Sequence, residues 1–255
     1  VRDFDAACGG YRRLLGREPE LQPGGGAKRA WFHLANMSLE VIAPDGDGHP
    51  GAPVKQYLDE AGEGLWLAAF AVDDVAATTK LFERRGLSVE PMGEFTRIHA
   101  AGLRFVLWPQ RERAASPATS GEAAAVGALD HVVVQTPNAD RAVGLYGAKF
   151  GLDLRLDREN AQWGARQLFF RCGAAVFEVG ASLKHPPSDA PDKFGGLAWR
   201  VADPEALHAR LAGEGFNVSD LRTGRKPGTR VFTVRAAPEG MTLGGVPTLV
   251  IQQDA

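Results

Sequence analysis

Glu178 is the only charged side chain in the run AVFEVG (175–180), and Glu40 stands alike in MSLEVIAP (37–44). A carboxylate in an otherwise apolar strand is costly to desolvate unless a cation or hydrogen bonds compensate. Each glutamate therefore faces trapped water, an arginine or a ligand. His131 heads the run HVVV. Successive strand residues alternate sides, so Val133 and Gln135 share its face. An imidazole there either bonds to backbone or works as an acid, base or ligand. In LAWRV, Trp199 and Val201 read as packed against helices, which turns Arg200 to the side of Ala198 and Gly196. A guanidinium so placed either grips a carboxylate or phosphate with two hydrogen bonds or neutralises Glu178. Trp163, in the polar stretch ENAQWGARQ, is the tryptophan expected to touch a ligand, while the other four read as core.

Other chemistries find less support. The serines lack a strand–turn–helix elbow, and neither cysteine has a histidine nearby in sequence. The glycines of QPGGGAK lack the strand-then-helix setting of a phosphate loop. The basic run RTGRKPGTRV (222–231) reads as a solvated hairpin before it reads as an anion site.

The elements that must position these residues repeat. WFHLANMSLEVIAP (31–44) aligns without a gap on FFRCGAAVFEVGAS (169–182), pairing Glu40 with Glu178. Upstream, VRDFDAACGGYRRLLGREPEL matches TPNADRAVGLYGAKFGLDLRL (136–156). Downstream, AAFAVDDVAATTKLFERRGLSV (68–89) matches LAWRVADPEALHARLAGEGFNV (197–218). Two homologous halves follow, read as domains 1–112 and 128–255 joined by an Ala/Ser/Pro/Gly-rich linker over 113–127. Within each half a strand, a helix and three further strands recur, giving four β-α-β-β-β modules and an α+β fold. The chain opens on a helix capped by Asp3, so the first strand of this module is expected upstream of Val1.

The totals set limits. The chain has 255 residues, 44% hydrophobic and 24% charged, with 29 basic against 31 acidic side chains. That is a globular composition, and a net charge of −2 gives no reason to expect nucleic acid. No apolar run is long enough to span a bilayer. Cys8 and Cys172 form no metal-type spacing and read as reduced thiols of a cytoplasmic protein.

The module order, LDHVVVQTPNADRAVGLYGAKFGL, the AVFEVG strand and GLAWRVADPEALHARL together resemble the vicinal oxygen chelate superfamily. That superfamily takes in glyoxalases, bleomycin resistance proteins, methylmalonyl-CoA epimerase and extradiol dioxygenases. The resemblance implies curved, cup-like sheets whose metal ligands come from the first and last strands of each module. Carried onto this sequence, those positions are His131 and Glu178, with Gln252 in PTLVIQQ as a third donor, and Glu178 would also move a proton. Where the pattern has its second histidine this chain has Gly196, and the first half has Leu67 and no acid on its closing strand. His208 is expected mid-helix and His185 in a loop, so neither replaces it.

Two activities stay open. One is a metal-assisted lyase, isomerase or dioxygenase-like enzyme, using Fe, Mn, Ni or Zn and no nucleotide cofactor, on a small oxygen-rich and anionic substrate. Arg200, Gln135 and Trp163 would contact that substrate. The other is a metal-free protein of the bleomycin-resistance type that binds a small molecule between apolar walls. Neither reading involves nucleic acid or membrane, and both allow a homodimer.

Overall fold

The computed structural model describes residues 1–224 and 228–252. The basic run noted above therefore falls partly outside the described residues, at 225–227. In chain order the first module holds α1 (Phe4–Leu15), β1 (Glu20–Leu21), β2 (Ala27–His33) and β3 (Ser38–Pro44), followed by α2 (Gly51–Ala61). The second holds β4 (Ala68–Val72), α3 (Val75–Arg84), β5 (Val89–Met92), β6 (Phe95–Ala100) and β7 (Leu103–Pro109). The third holds β8 (Val126–Thr136), α4 (Ala139–Ala142) running into a π-helical turn at Val143–Lys149, β9 (Asp153–Asn160), β10 (Ala165–Cys172) and β11 (Ala175–Ser182). The fourth holds β12 (Lys193–Val201), α5 (Pro204–Gly213), β13 (Asn217–Val218), β14 (Arg222–Thr223), β15 (Arg230–Ala236) and β16 (Thr248–Gln252).

One local device starts a helix in every module. Asp3, Asn138 and Asp203 each accept a hydrogen bond from the backbone N–H three residues on, at 2.9 to 3.0 Å, and Asp74 does so at 2.8 Å. Each satisfies a donor that the first turn leaves without a partner.

The contacts divide the chain into two compact units. One comprises 1–64, 113–130 and 196–255, and the other comprises 65–112 and 131–195. Each unit thus combines a module from one sequence half with a module from the other.

In the first unit, β1, β2 and β3 form an antiparallel sheet. On β12, β16 and β15 the register aligns Trp199 with Val250 and Val250 with Phe232. All three are fully buried, and α5 lies over β15 and β16 with Leu207 and Leu211 also buried. The segment read as a linker is fastened here. Buried Arg17 donates to the carbonyls of Ser116 and Val126 at 2.7 and 2.6 Å and to Glu122 Oε2 at 2.7 Å.

In the second unit, β4 pairs parallel with β7, which continues to β6 and β5. Residues 131–136 of β8 pair parallel with β11, which continues antiparallel to β10 and β9. The core is aromatic. Phe105 meets Phe150 edge-on with centroids 4.9 Å apart, and Phe70 meets Phe177 at 5.5 Å. Such pairs add about 0.5–1.5 kcal/mol each beyond the area they bury. Val134, Leu168, Phe170, Phe177 and Val179 all point into this core, so alternation sends their neighbours to the opposite face. No described helix is long and apolar enough to cross a membrane.

Candidate functional site

The opposite face of the second unit's sheet carries the polar group. Parallel register sets Val176 beside His131 and Glu178 beside Val133. Antiparallel register sets Phe169 across from Glu178, and Gln167 across from both Gly180 and Arg158. The turn after β10 fixes this pairing. Cys172 opposes Ala175 across the two residues Gly173 and Ala174, and Gly173 adopts φ 58°, which suits glycine in a tight hairpin.

A chain of polar contacts results. His131 Nε2 lies 3.3 Å from Glu178 Oε2. Gln167 Nε2 donates to Glu178 Oε1 at 2.8 Å. Arg158 then donates through Nε and Nη2 to Gln167 Oε1 at 3.3 and 3.1 Å, with its guanidinium 5.3 Å above the Phe169 ring. His131 and Glu178 keep 14% and 18% of their side-chain surface exposed, so both remain in contact with solvent.

His131 and Glu178 thus meet as expected from the sequence. Gln167 and Arg158 were not singled out, although a glutamine inside ARQLFFRC two residues before Phe169 carried the signal. Once the hairpin turn sets the register, alternation places Gln167 beside Glu178.

The remaining expectations divide. Arg200, in the first unit, forms an ion pair with Asp130 at 3.4 Å and donates to the Leu129 carbonyl at 2.9 Å. The sequence leaves Arg200 two roles, anion binding or neutralisation of Glu178, and this ion pair is with Asp130 instead of Glu178. Gln135 is exposed on β8. Trp163 is exposed in the turn between β9 and β10, where its backbone N–H is held by Asn160 Oδ1 at 3.0 Å.

Gln252 requires correction. It pairs with Val201, two residues beyond the Trp199–Val250 pair, so alternation places it on the α5 face with those buried side chains. The side of Arg200 belongs to Ile251 instead. A Cβ on Gly196 (φ 140°) would lie 2.4 Å from the Pro247 carbonyl oxygen, so this position has no room for the histidine of the family pattern. His208 sits on α5 within 3.0 Å of the Ser219 carbonyl, edge-on to Phe232.

A divalent cation fits the donors poorly. Stable catalytic centres hold about three protein ligands, and no cluster of three His, Cys, Asp or Glu occurs among the described residues. Both Glu178 oxygens and the Gln167 oxygen are already engaged by protein nitrogens.

Glu40 shows the other outcome for a strand carboxylate. It pairs with Arg29, whose guanidinium lies 5.2 Å over Trp31. Burial pushes the Glu40 carboxyl above its usual range, partly opposed by the charge and hydrogen bond of Arg29.

Comparison with known proteins agrees with this architecture. The family model described as Glyoxalase/Bleomycin resistance protein/Dioxygenase superfamily matches residues 1–113 and 128–243. An ethylmalonyl-CoA/methylmalonyl-CoA epimerase of Cereibacter sphaeroides is 30% identical over 99 residues, covering 37% of this chain and 71% of the epimerase. The fold superposes with a TM-score of 0.77 on a mutant of 4-hydroxymandelate synthase from Streptomyces coelicolor, at 18% identity, over 100% of this chain and 90% of that one.

Proposed function

Since the chain belongs to the glyoxalase/bleomycin resistance protein/dioxygenase superfamily, we propose that it is a proton-transfer enzyme of the isomerase or epimerase kind, acting without a metal on a small acid or acyl thioester. The first half then serves structure, and the second half carries the site. The observation that carries this reading is the accessible His131–Glu178 pair, buttressed by Gln167 on a rigid sheet.

Glu178 takes a proton from the carbon next to a carbonyl, and the C–H electrons move onto the carbonyl oxygen as an enolate. A proton from water, added to the other face of that carbon, gives the isomer. His131, 3.3 Å away, exchanges the proton with Glu178 and resets the base. Gln167 fixes the carboxylate's orientation, and Arg158 fixes the amide. The epimerase to which part of the chain is similar motivates the choice of an α-carboxyl acyl thioester as the first substrate to try.

The test is deuterium uptake from heavy water into methylmalonyl-CoA and simpler acyl thioesters, with and without chelator. Exchange is expected in native protein, with less than about a twofold change on adding Fe, Mn, Ni or Zn. Glu178→Gln and His131→Ala should each slow it by about 100-fold or more, the scale of a lost general base. Native protein that exchanges no proton, yet binds a thioester with unchanged affinity in both variants, would establish the second reading. That reading is a small-molecule binding protein, and it is favoured by the Gln167 hydrogen bond and the His131 contact that engage the two Glu178 oxygens.

A further inference from the structure

Glycine inside a strand weakens it, and it persists where the backbone bends or bulges, or where another chain or a ligand comes close. Gly180 lies within β11, two residues from Glu178 and therefore on the same face. Its register is regular on both sides, opposite Gln167 of β10 and beside Gln135 of β8, so no bulge explains it. Its φ is not positive, so a side chain would cost no backbone strain. Packing does not explain it either, because a Cβ placed there would meet nothing within 4 Å. Gly195 of β12 is different. A Cβ on it would lie 2.9 Å from Val133 Cγ1 and 3.3 Å from Gln135 Cγ, so that glycine makes room for protein side chains. What remains for Gly180 is a ligand.

We propose that the open floor at Gly180 is the subsite for the substrate's arm beyond the thioester carbonyl, and that Gln135 and Gln167 recognise an amide in that arm. The placement rests on the proton-transfer function proposed above, in which Glu178 marks the reacting carbon. Two residues along a strand span about 6.6 Å. In an acyl pantetheine, a carbonyl carbon, a sulfur and two methylenes separate the acidic carbon from the first amide nitrogen, a comparable extended length. With the reacting carbon at Glu178, that amide comes to lie over Gly180. Gln135 is exposed, so its amide can turn toward the arm. Gln167 gives one Nε2 hydrogen to Glu178 and keeps a second. Both glutamines can donate to the arm's carbonyl, and the Gln135 oxygen can accept from its N–H. An aliphatic arm offers no such pairing, so the subsite selects pantetheine-type thioesters over simple alkyl ones.

Methylmalonyl thioesters of N-acetylcysteamine, which carries this amide, and of pentanethiol, which has methylenes in its place, test the subsite. Native protein should exchange the first with a kcat/KM about three- to tenfold higher, the scale of one net hydrogen bond. Gln135→Leu should bring that ratio to within about twofold of unity, through KM more than kcat. Gly180→Val should lower kcat/KM about tenfold or more for both compounds, because its side chain fills the floor. The melting temperature of that variant should hold or rise, since valine suits a strand. Gln135 is exposed, so its variant tests the subsite independently of how Gly180→Val folds. A native ratio near one overturns the inference and leaves proton transfer intact. So does a preference that survives Gln135→Leu, or a rate indifferent to Gly180→Val. If neither thioester exchanges, calorimetry on the same two compounds decides. Tighter binding of the amide thioester, lost in Gln135→Leu, upholds the subsite without the base, and equal binding overturns it.

Discussion

The β2–β3 and β10–β11 hairpins are the same scaffold with one neighbour changed. Trp31 opposes Glu40 in one and Phe169 opposes Glu178 in the other, at equivalent positions of the repeat. Two residues before the aromatic ring stand Arg29 and Gln167. In the first hairpin a guanidinium lies over the ring and binds the carboxylate directly. In the second, the guanidinium over the ring is Arg158, from the next strand, and it reaches only the amide of Gln167. The amide therefore stands between the cation and Glu178. In the first hairpin the carboxylate is bound directly by a cation, whereas in the second it is held by a neutral amide and lies beside a histidine.

The largest effect should come from importing the first arrangement into the second. Gln167→Arg places a cation against Glu178, and proton exchange should fall by about 10- to 100-fold while the melting temperature holds. Rates and thermal denaturation of the same preparation check this, and an unchanged rate would mean that Glu178 is not the base.

Breaking the first arrangement comes next. Arg29→Ala leaves Glu40 half-buried without its cation, which should cost about 2–3 kcal/mol, toward the lower end for a pair still partly in water. Urea titration measures it, and exchange by the folded variant should be unaltered.

The smallest effect is a pH dependence. Burial raises the Glu40 carboxyl, so the folded state binds this proton more tightly than the unfolded chain does. The stability gained from it is present below the unfolded value and is lost as pH rises through the folded one. Glu40→Gln removes this titration. The stability of native protein relative to that variant should therefore fall from acid toward neutral pH, by about 1 kcal/mol or less. Urea midpoints of both proteins at several pH values would show it, and a parallel pair of curves would contradict it.

Much of the site was legible before any coordinates. The alignment of Glu40 on Glu178 and the alternation through HVVVQT already set His131, Gln135 and Glu178 on defined faces. The identical reasoning failed at Gln252 because the face of a closing strand depends on where its pairing begins, and PTLVIQQ carries no turn signal that sets this. Gln167 was missed for a different reason. A polar residue inside a strand has meaning only beside its cross-strand neighbours.

The amino-acid order alone determined the four modules, their strand–helix order and the repeated carboxylate, because periodicity, capping residues and duplication are local properties of the chain. It did not determine how modules combine into compact units or which cation reaches which glutamate. Those outcomes rest on contacts between residues far apart in sequence. Arg29 reaching Glu40, and Gln167 standing between Arg158 and Glu178, became definite only when strand register brought the side chains within hydrogen-bonding distance.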